Sequence, residues 1–257
     1  MNAVIEIAKL VIKEILRKKD FYVAFLLTGV ILFYAAQLKF YNVANAYRYL
    51  MDIGLGLSFA FAVVLTVAVA ARQFPGELQA RTCHVLWAKP VSRGQFVLGK
   101  FLGSYLAGMA CFTCFYAALI VFTLTKTDAV SAVTALQTYA LFGLCLMMLT
   151  ALAGMLSYFV STPIAVALTL FVYALISVYG FYAREAARHM TGPVRWAIEA
   201  VYTLAPHFEF FDMRQRFIHS SEPVGAGVVL FLAAYAVAYS ALYLWIGWLR
   251  LRERPIA

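Results

Sequence analysis

The chain has 257 residues, of which 64% are hydrophobic and only 13% are charged, and its formal net charge is +9. Soluble domains carry roughly 25% charged residues, so this composition, with a mean hydropathy of +0.83, excludes an ordinary soluble domain and indicates a polytopic membrane protein. The positive charge does not indicate nucleic-acid binding, because the basic residues stand in short runs between apolar segments, where they determine membrane topology.

Residues 1–19 are predicted to form an amphipathic helix at the membrane surface. The polar residues recur at spacings of three and four and therefore share one helical face: Asn2, Glu6, Lys9, Lys13 and Arg17. The opposite face is apolar, and a basic helix with a wide apolar stripe is typical of a membrane interface. The stretch has no continuous apolar core followed by a cleavage site, so the first membrane span is expected to act as an uncleaved signal anchor.

Six apolar segments follow, and each is long enough to cross the ~30 Å hydrocarbon core of a bilayer. They run from about 21–38, 53–71, 101–124, 133–159, 164–182 and 224–249. The predicted fold is an all-α polytopic membrane protein with an N-terminal interfacial helix and six transmembrane helices. We find no repeat or linker that would separate a second domain, so residues 1–257 are expected to form a single membrane unit.

The distribution of basic residues predicts the orientation of the chain. Thirteen of the 21 lysines and arginines fall on the side of the two termini, including five between Arg72 and Lys100. Because basic residues mark cytoplasmic loops, both termini are expected in the cytoplasm. The long connection 183–223 then lies outside; it carries five basic and five acidic residues, and long loops weigh less in this rule.

The sequence offers little catalytic chemistry. Cys111 and Cys114 form a C-x-x-C, but they lie within an apolar segment, which favours buried thiols over a metal or redox site. His207, Glu209 and His219 share the outer loop and leave a metal site open as an alternative, although interfacial histidines beside aromatic residues are the simpler interpretation. We predict no catalytic residue, cofactor or metal in this chain. An intramembrane enzyme would need polar catalytic residues within its spans, which we do not find.

Residues 72–100 interrupt the apolar pattern with a short charged segment. Pro75 and Glu77 suit the first turn of a helix, and Pro90 ends it. A helix of this length is unstable alone and needs a surface to contact. A helix lying on lipid would explain its amphipathic pattern but not its sharply defined ends.

The segment resembles the cytoplasmic loop of ABC-2 type permeases, the six-span membrane subunits of bacterial ABC exporters. The pattern E-x-x-x-R-T-x-x-x-x-x-A-K-P-V-S-R, followed by F-x-x-G-K-F-x-G, carries the resemblance. The family usually has Gly where this chain has Arg81. The N-terminal helix, the six spans and the long fifth-to-sixth loop also match the family plan, that of a type V ABC exporter.

The resemblance implies that residues 73–93 form a coupling helix and its flanks, which seat on a separate ATPase. The residues implied in ATPase coupling are Glu77, Leu78, Arg81, Thr82, Lys89, Pro90 and Arg93. The expected partners are two copies of a cytoplasmic ATP-binding subunit, which holds the ATP and Mg²⁺, a second permease copy in a homodimer, and membrane lipid. The expected location is the bacterial inner membrane.

The family commonly lines its path between subunits with the second and fifth spans. Polar residues in those spans are a candidate substrate path: Ser58, Thr66, Thr169, Tyr173 and Ser177. Such residues more often form hydrogen bonds between helices. The leading hypothesis is export of a hydrophobic or amphipathic substrate. The alternative is a mechanotransmitter that drives an extracytoplasmic partner docked on the 183–223 loop, as in permeases that serve nitrous-oxide reductase maturation.

Overall fold

The computed structural model of the chain describes residues 2–17, 46–73, 92–124, 131–188, 195–196, 202–203, 205–214, 216–220 and 223–253. Six helices make up most of this part of the chain: α1 (Asn2–Arg17), α2 (Ala46–Gln73), α3 (Arg93–Leu124), α4 (Ala132–Ser157), α5 (Thr162–Arg188) and α6 (Ala226–Glu253). The described residues contain no strand, so the predicted all-α class is confirmed for them.

Four of the helices are long and apolar enough to cross a membrane: Met51–Gln73, Arg93–Val121, Ala132–Ser157 and Ala226–Arg252. Helix α5 has 27 residues, and its described side chains form an apolar stretch from Thr162 to Ser177. These five helices overlap the predicted second to sixth apolar segments. The predicted first span, 21–38, lies outside the described residues.

Helix α4 forms the centre of the bundle. It packs against α2, α3, α5 and α6, and its middle third buries Leu141, Phe142, Leu146, Met148 and Leu149 almost completely. Apolar residues surround this helix on nearly every side, so it shows no amphipathic pattern, as expected for a helix in the core of a membrane bundle. The other helices are thereby positioned around it.

Helix α1 packs closely along α3 because two glycines open a groove there. A Cβ atom on Gly99 would lie 2.8 Å from Ile7 Cβ, and one on Gly103 would lie 2.7 Å from Val11 Cβ. Both distances are too short for a real contact, so only glycine allows this approach. Ile7, Ala8 and Val11 are buried, whereas Glu6 and Lys9 are exposed and form an ion pair of 2.9 Å.

A reciprocal capping arrangement marks the start of α3. The Ser92 hydroxyl accepts from the backbone N–H of Gln95 at 3.2 Å, and the Gln95 side-chain oxygen accepts from the backbone N–H of Ser92 at 3.0 Å. This is a capping box, and it begins the helix well before the apolar segment predicted from about residue 101. Lys100 therefore lies inside α3, where its side chain is buried.

Residues 205–214 and 216–220, from the long loop between α5 and α6, pack onto the bundle. They include a 3₁₀ helix, Phe208–Phe211, and a single π-helical turn, Arg216–Ser220. Phe208, Phe211, Met213, Phe217 and Ile218 are buried in the same core as α2 and α4. We call residues 205–214 the roof segment, because their 3₁₀ helix lies against α4 and α5.

Candidate functional site

Most of the residues predicted to contact an ATPase lie outside the described part of the chain. These are Glu77, Leu78, Arg81, Thr82, Lys89 and Pro90. The structure does describe both ends of the segment that holds them, which are Gln73 at the end of α2 and Ser92 before α3.

Arg93 binds the end of α6. Its Nη1 donates to the backbone carbonyls of Leu251 and Arg252, both at 2.9 Å. The last carbonyls of a helix have no partner within the helix, and a cation near them is favoured by the helix dipole. Arg93 thus joins the start of α3 to the end of α6.

A second contact joins α1, α2 and α3 at the same end of the bundle. The Lys100 ammonium donates to the Gln73 side-chain oxygen at 3.0 Å, and the Gln73 side-chain nitrogen donates to a Glu14 carboxylate oxygen at 3.4 Å. Lys100 is 5% exposed and Gln73 is also 5% exposed. We call Glu14, Gln73 and Lys100 the anchor network. Because it includes the last residue of α2 and a residue in the second turn of α3, it holds together the helices that flank residues 74–91.

The five predicted path residues fall into two groups. Ser58, Thr66 and Thr169 are fully buried within the helix packing. The Thr66 and Thr169 hydroxyls donate to the carbonyls of Ala62 and Ala165, at 2.6 and 2.7 Å, and Gly108 of α3 leaves room for the Thr66 side chain. The Ser58 hydroxyl has no hydrogen-bond partner among the described residues.

Tyr173 and Ser177 lie instead on the wall of a cavity of about 360 Å³. The cavity is bounded by α2, α4, α5 and the roof segment, and its lining is mainly aromatic and small: Gly56, Phe59, Ala60, Phe142, Cys145, Tyr173, Ala174, Ser177, Phe208, Glu209, Phe211, Asp212 and Arg214. We call it the roofed cavity. The structure thus brings two of the five predicted path residues to one space and leaves the other three in helix contacts.

The aromatic side chains of the roofed cavity pack on one another. The rings of Phe59 and Phe142 are stacked with centroids 4.2 Å apart, and Phe208 meets Tyr173 edge-on at 5.6 Å. These contacts link α2 to α4 and the roof segment to α5. The walls are therefore held by ring packing between different elements, which keeps the cavity open.

His207 fixes the roof segment to α6. Its backbone N–H donates to the Tyr235 hydroxyl at 3.0 Å, and its ring Nδ1 lies 3.1 Å from the same oxygen. The His207 ring also stacks on Phe210 at 4.9 Å. His207 thus lies beside aromatic residues. The part of the chain described holds no group of three or more metal-binding side chains, and the His219 side chain of the alternative metal site lies outside it.

Three charged residues line the roofed cavity, and two of them are paired. Arg214 Nη2 lies 2.6 Å from Asp212 Oδ2, and Arg214 Nε lies 3.0 Å from both carboxylate oxygens. The hydrogen bonds to Asp212, with a smaller contribution from the Asp52 carboxylate, raise the pKa of the Arg214 guanidinium above its ordinary value. Arg214 therefore stays charged and bound to Asp212.

Glu209 is the third charged residue, and one of its oxygens lacks a partner. Its Oε1 accepts from the Tyr202 hydroxyl at 2.6 Å. Its Oε2 is buried and has no hydrogen-bond partner among the described residues. The sequence drew attention to Glu209 only as an alternative metal ligand. Its place beside an aromatic cavity depends on the roof segment folding back, which no local pattern indicates.

Comparison with known proteins identifies the family. The family model described as ABC-2 family transporter protein matches residues 5–252, which is nearly the whole chain. No curated protein matches the chain closely enough to be reported. The match extends from α1 to the last turn of α6, and it confirms the resemblance found in the E-x-x-x-R-T and F-x-x-G-K-F-x-G patterns. The chain belongs to the ABC-2 family of transporter proteins.

Proposed function

We propose that this chain is the permease subunit of an ABC exporter, in which residues 73–93 contact a cytoplasmic ATPase and transmit its motion to the spans. The chain itself hydrolyses no ATP; ATP and Mg²⁺ are held by two copies of the partner. Two permease copies form a homodimer in the bacterial inner membrane, with both termini in the cytoplasm.

The observation that carries this proposal is the way the ends of the 74–91 segment are fixed. Gln73 binds Lys100, and Arg93 binds the end of α6. A movement of residues 74–91 therefore acts on α2, α3 and α6 together. Through the Glu14 contact with Gln73, it also acts on α1. Rigid-body movement of packed helices is a common way to pass a local change across a protein.

Co-purification tests the ATPase contact. The chain is expressed with the ATP-binding-cassette protein encoded beside it and purified in mild detergent, as wild type and as Glu77→Arg. We expect a stable complex with the wild type and its loss with Glu77→Arg, because charge reversal in a docked interface costs several kcal/mol. The matched control is Glu222→Arg, on the predicted outer loop, which should leave the complex intact. A complex that forms equally well with Glu77→Arg would contradict the proposed contact.

The substrate is proposed to be hydrophobic or amphipathic, and the roofed cavity supports this. Its walls combine five aromatic rings with a few polar groups, the usual composition of a ligand site. The mechanotransmitter alternative needs an outer surface for a partner. The roof segment and the residues after it bury Phe208, Phe211 and Phe217 inside the chain, so these side chains serve internal packing.

A further inference from the structure

The unpartnered oxygen of Glu209 is the starting point for a more specific inference. A buried carboxylate oxygen without a partner is costly, because ionised groups lose strong hydration when they leave water. Only one Glu209 oxygen is satisfied, by Tyr202, and the other is buried without a partner among the described residues. A ligand that brings positive charge to this side chain would remove that cost.

The charges of the described residues that line the roofed cavity do not balance. Arg214 is bound by Asp212 through three short contacts, so this pair contributes no net charge. Glu209 then leaves the lining with a net negative charge, and the Asp52 carboxylate acts on Arg214 from the same region. A cavity of low polarity with net negative charge favours cations over neutral or anionic ligands.

The residues that line the cavity favour some classes of cation over others. Five aromatic rings line the cavity: Phe59, Phe142, Tyr173, Phe208 and Phe211. Small metal ions such as Ca²⁺ and Mg²⁺ need about six oxygen ligands, which this lining does not provide. Alkylated ammonium groups, in contrast, are attracted by aromatic faces and need few hydrogen bonds. The volume of about 360 Å³ is within the usual range for a small organic ligand.

We propose that the roofed cavity binds an organic cation, an ammonium group carrying apolar substituents, with Glu209 as its counter-ion and the five aromatic rings as its walls. The cation's apolar substituents face Phe59 and Phe142, and its charge lies towards Glu209. This deepens the proposed function by naming a substrate class, and it rests on that function for transport. Binding itself does not require the ATPase and is tested without it.

The test uses the full chain in dodecyl maltoside micelles, because this detergent carries no ammonium group, and tritiated benzyltrimethylammonium as the probe. Neopentylbenzene is the competitor, because it has the same shape with carbon in place of the charged nitrogen. We expect saturable binding of the cation, and competition by neopentylbenzene that is weaker than competition by the unlabelled cation by on the order of tenfold or more. Equal competition, or no saturable binding to the wild type, would overturn the proposal.

Substitutions of Glu209 test whether its charge causes the preference for the cation over neopentylbenzene. Glu209→Gln keeps the shape of the side chain and removes its charge, and we expect cation binding to weaken by roughly tenfold. Glu209→Asp keeps the charge and should retain the preference for the cation over neopentylbenzene. The control Glu6→Gln, at an exposed ion pair on α1, should change nothing. Unchanged cation binding in Glu209→Gln would contradict the proposal.

A further variant keeps the test decisive if Glu209→Gln folds poorly. Ala174 is exposed and lines the cavity, so Ala174→Phe should fill the space while replacing no residue of the buried core. We expect it to abolish probe binding, and persistent binding would place the probe elsewhere. Absence of probe binding to the wild type, with an intact ATPase complex, overturns only the cation site. Loss of the ATPase complex with intact probe binding overturns only the proposed coupling.

Discussion

Lys100 shows how a charged residue is accommodated inside this bundle. Its side chain is buried, and its ammonium donates to the Gln73 oxygen at 3.0 Å. It also lies 5.8 Å from the centre of the Phe96 ring, close enough for a cation–π contact. A buried charge is tolerated only with such partners, so Lys100 serves to join α3 to the end of α2.

Lys100→Met is expected to weaken this joint. Methionine has a similar length but cannot donate, so the buried Gln73 oxygen loses its hydrogen bond, which costs about 1–3 kcal/mol. The free energy of unfolding, measured by SDS titration in mixed micelles, should fall by that amount. The control Lys9→Met removes an exposed ion pair of α1, which is worth little. Equal free energies of unfolding for Lys100→Met and the wild type would show that the anchor network does not stabilise the fold.

At the level of single residues, the sequence indicated which residues belong to the family pattern but not which contacts they make. The Gly99-Lys100 pair was recognised as part of a family pattern, but not as a glycine contact with α1 and a lysine contact with Gln73. The Ser92–Gln95 capping box is an S-x-x-Q pattern that can be read from the sequence. Glu209 and its aromatic neighbours gave no usable signal, because they are brought together only by tertiary packing.

The helices themselves follow from local sequence. Continuous apolar runs predicted α2 to α6, because a membrane span must satisfy all its backbone groups internally and is therefore helical. The ends of the helices were less predictable. Helix α3 extends to Arg93 and α5 to Arg188, since polar residues continue a helix beyond the apolar run when capping groups or neighbouring helices stabilise it.

Close packing of α1 on α3 is predicted to depend on Gly103. In Gly103→Val the new Cβ would clash with Val11 Cβ and approach the Ala8 carbonyl, and overpacking of this kind costs about 1–3 kcal/mol. We expect α1 to detach, so that trypsin cleaves after Lys9 and Lys13 faster than in the wild type.

The matched control for this prediction is Gly227→Val on α6. A Cβ at Gly227 meets nothing within 4 Å, so this variant should be cleaved at the wild-type rate. If both variants resist trypsin as the wild type does, α1 does not rely on the glycine groove for its position.

For the whole molecule, the anchor network and the roofed cavity lie at different levels along the bundle. At one end, the anchor network and Arg93 fix the helices that flank residues 74–91. Near the middle of the helices, the roof segment covers a cavity between α2, α4 and α5. Helix α2 connects the two, because it ends at Gln73 and lines the cavity with Gly56, Phe59 and Ala60. A movement of the end of α2 would therefore reach the cavity through this helix.

The family, the membrane character and the helical class could be predicted from sequence because they depend on composition and on one short motif. The cavity could not, because its residues are spread over α2, α4, α5 and the outer loop, and most of them are ordinary span residues such as Phe59 and Phe142.

Site-specific photo-crosslinking tests the central claim most directly. A photoreactive benzoylphenylalanine replaces Arg81 in one variant and Trp196, which is 74% exposed, in another; both are expressed with the ATP-binding subunit and illuminated in membranes. If residues 73–93 contact the ATPase, we expect a cross-link to the ATPase from position 81 and none from position 196. A cross-link from position 196, or none from position 81 while the complex is present, would contradict the claim that residues 73–93 are the ATPase contact.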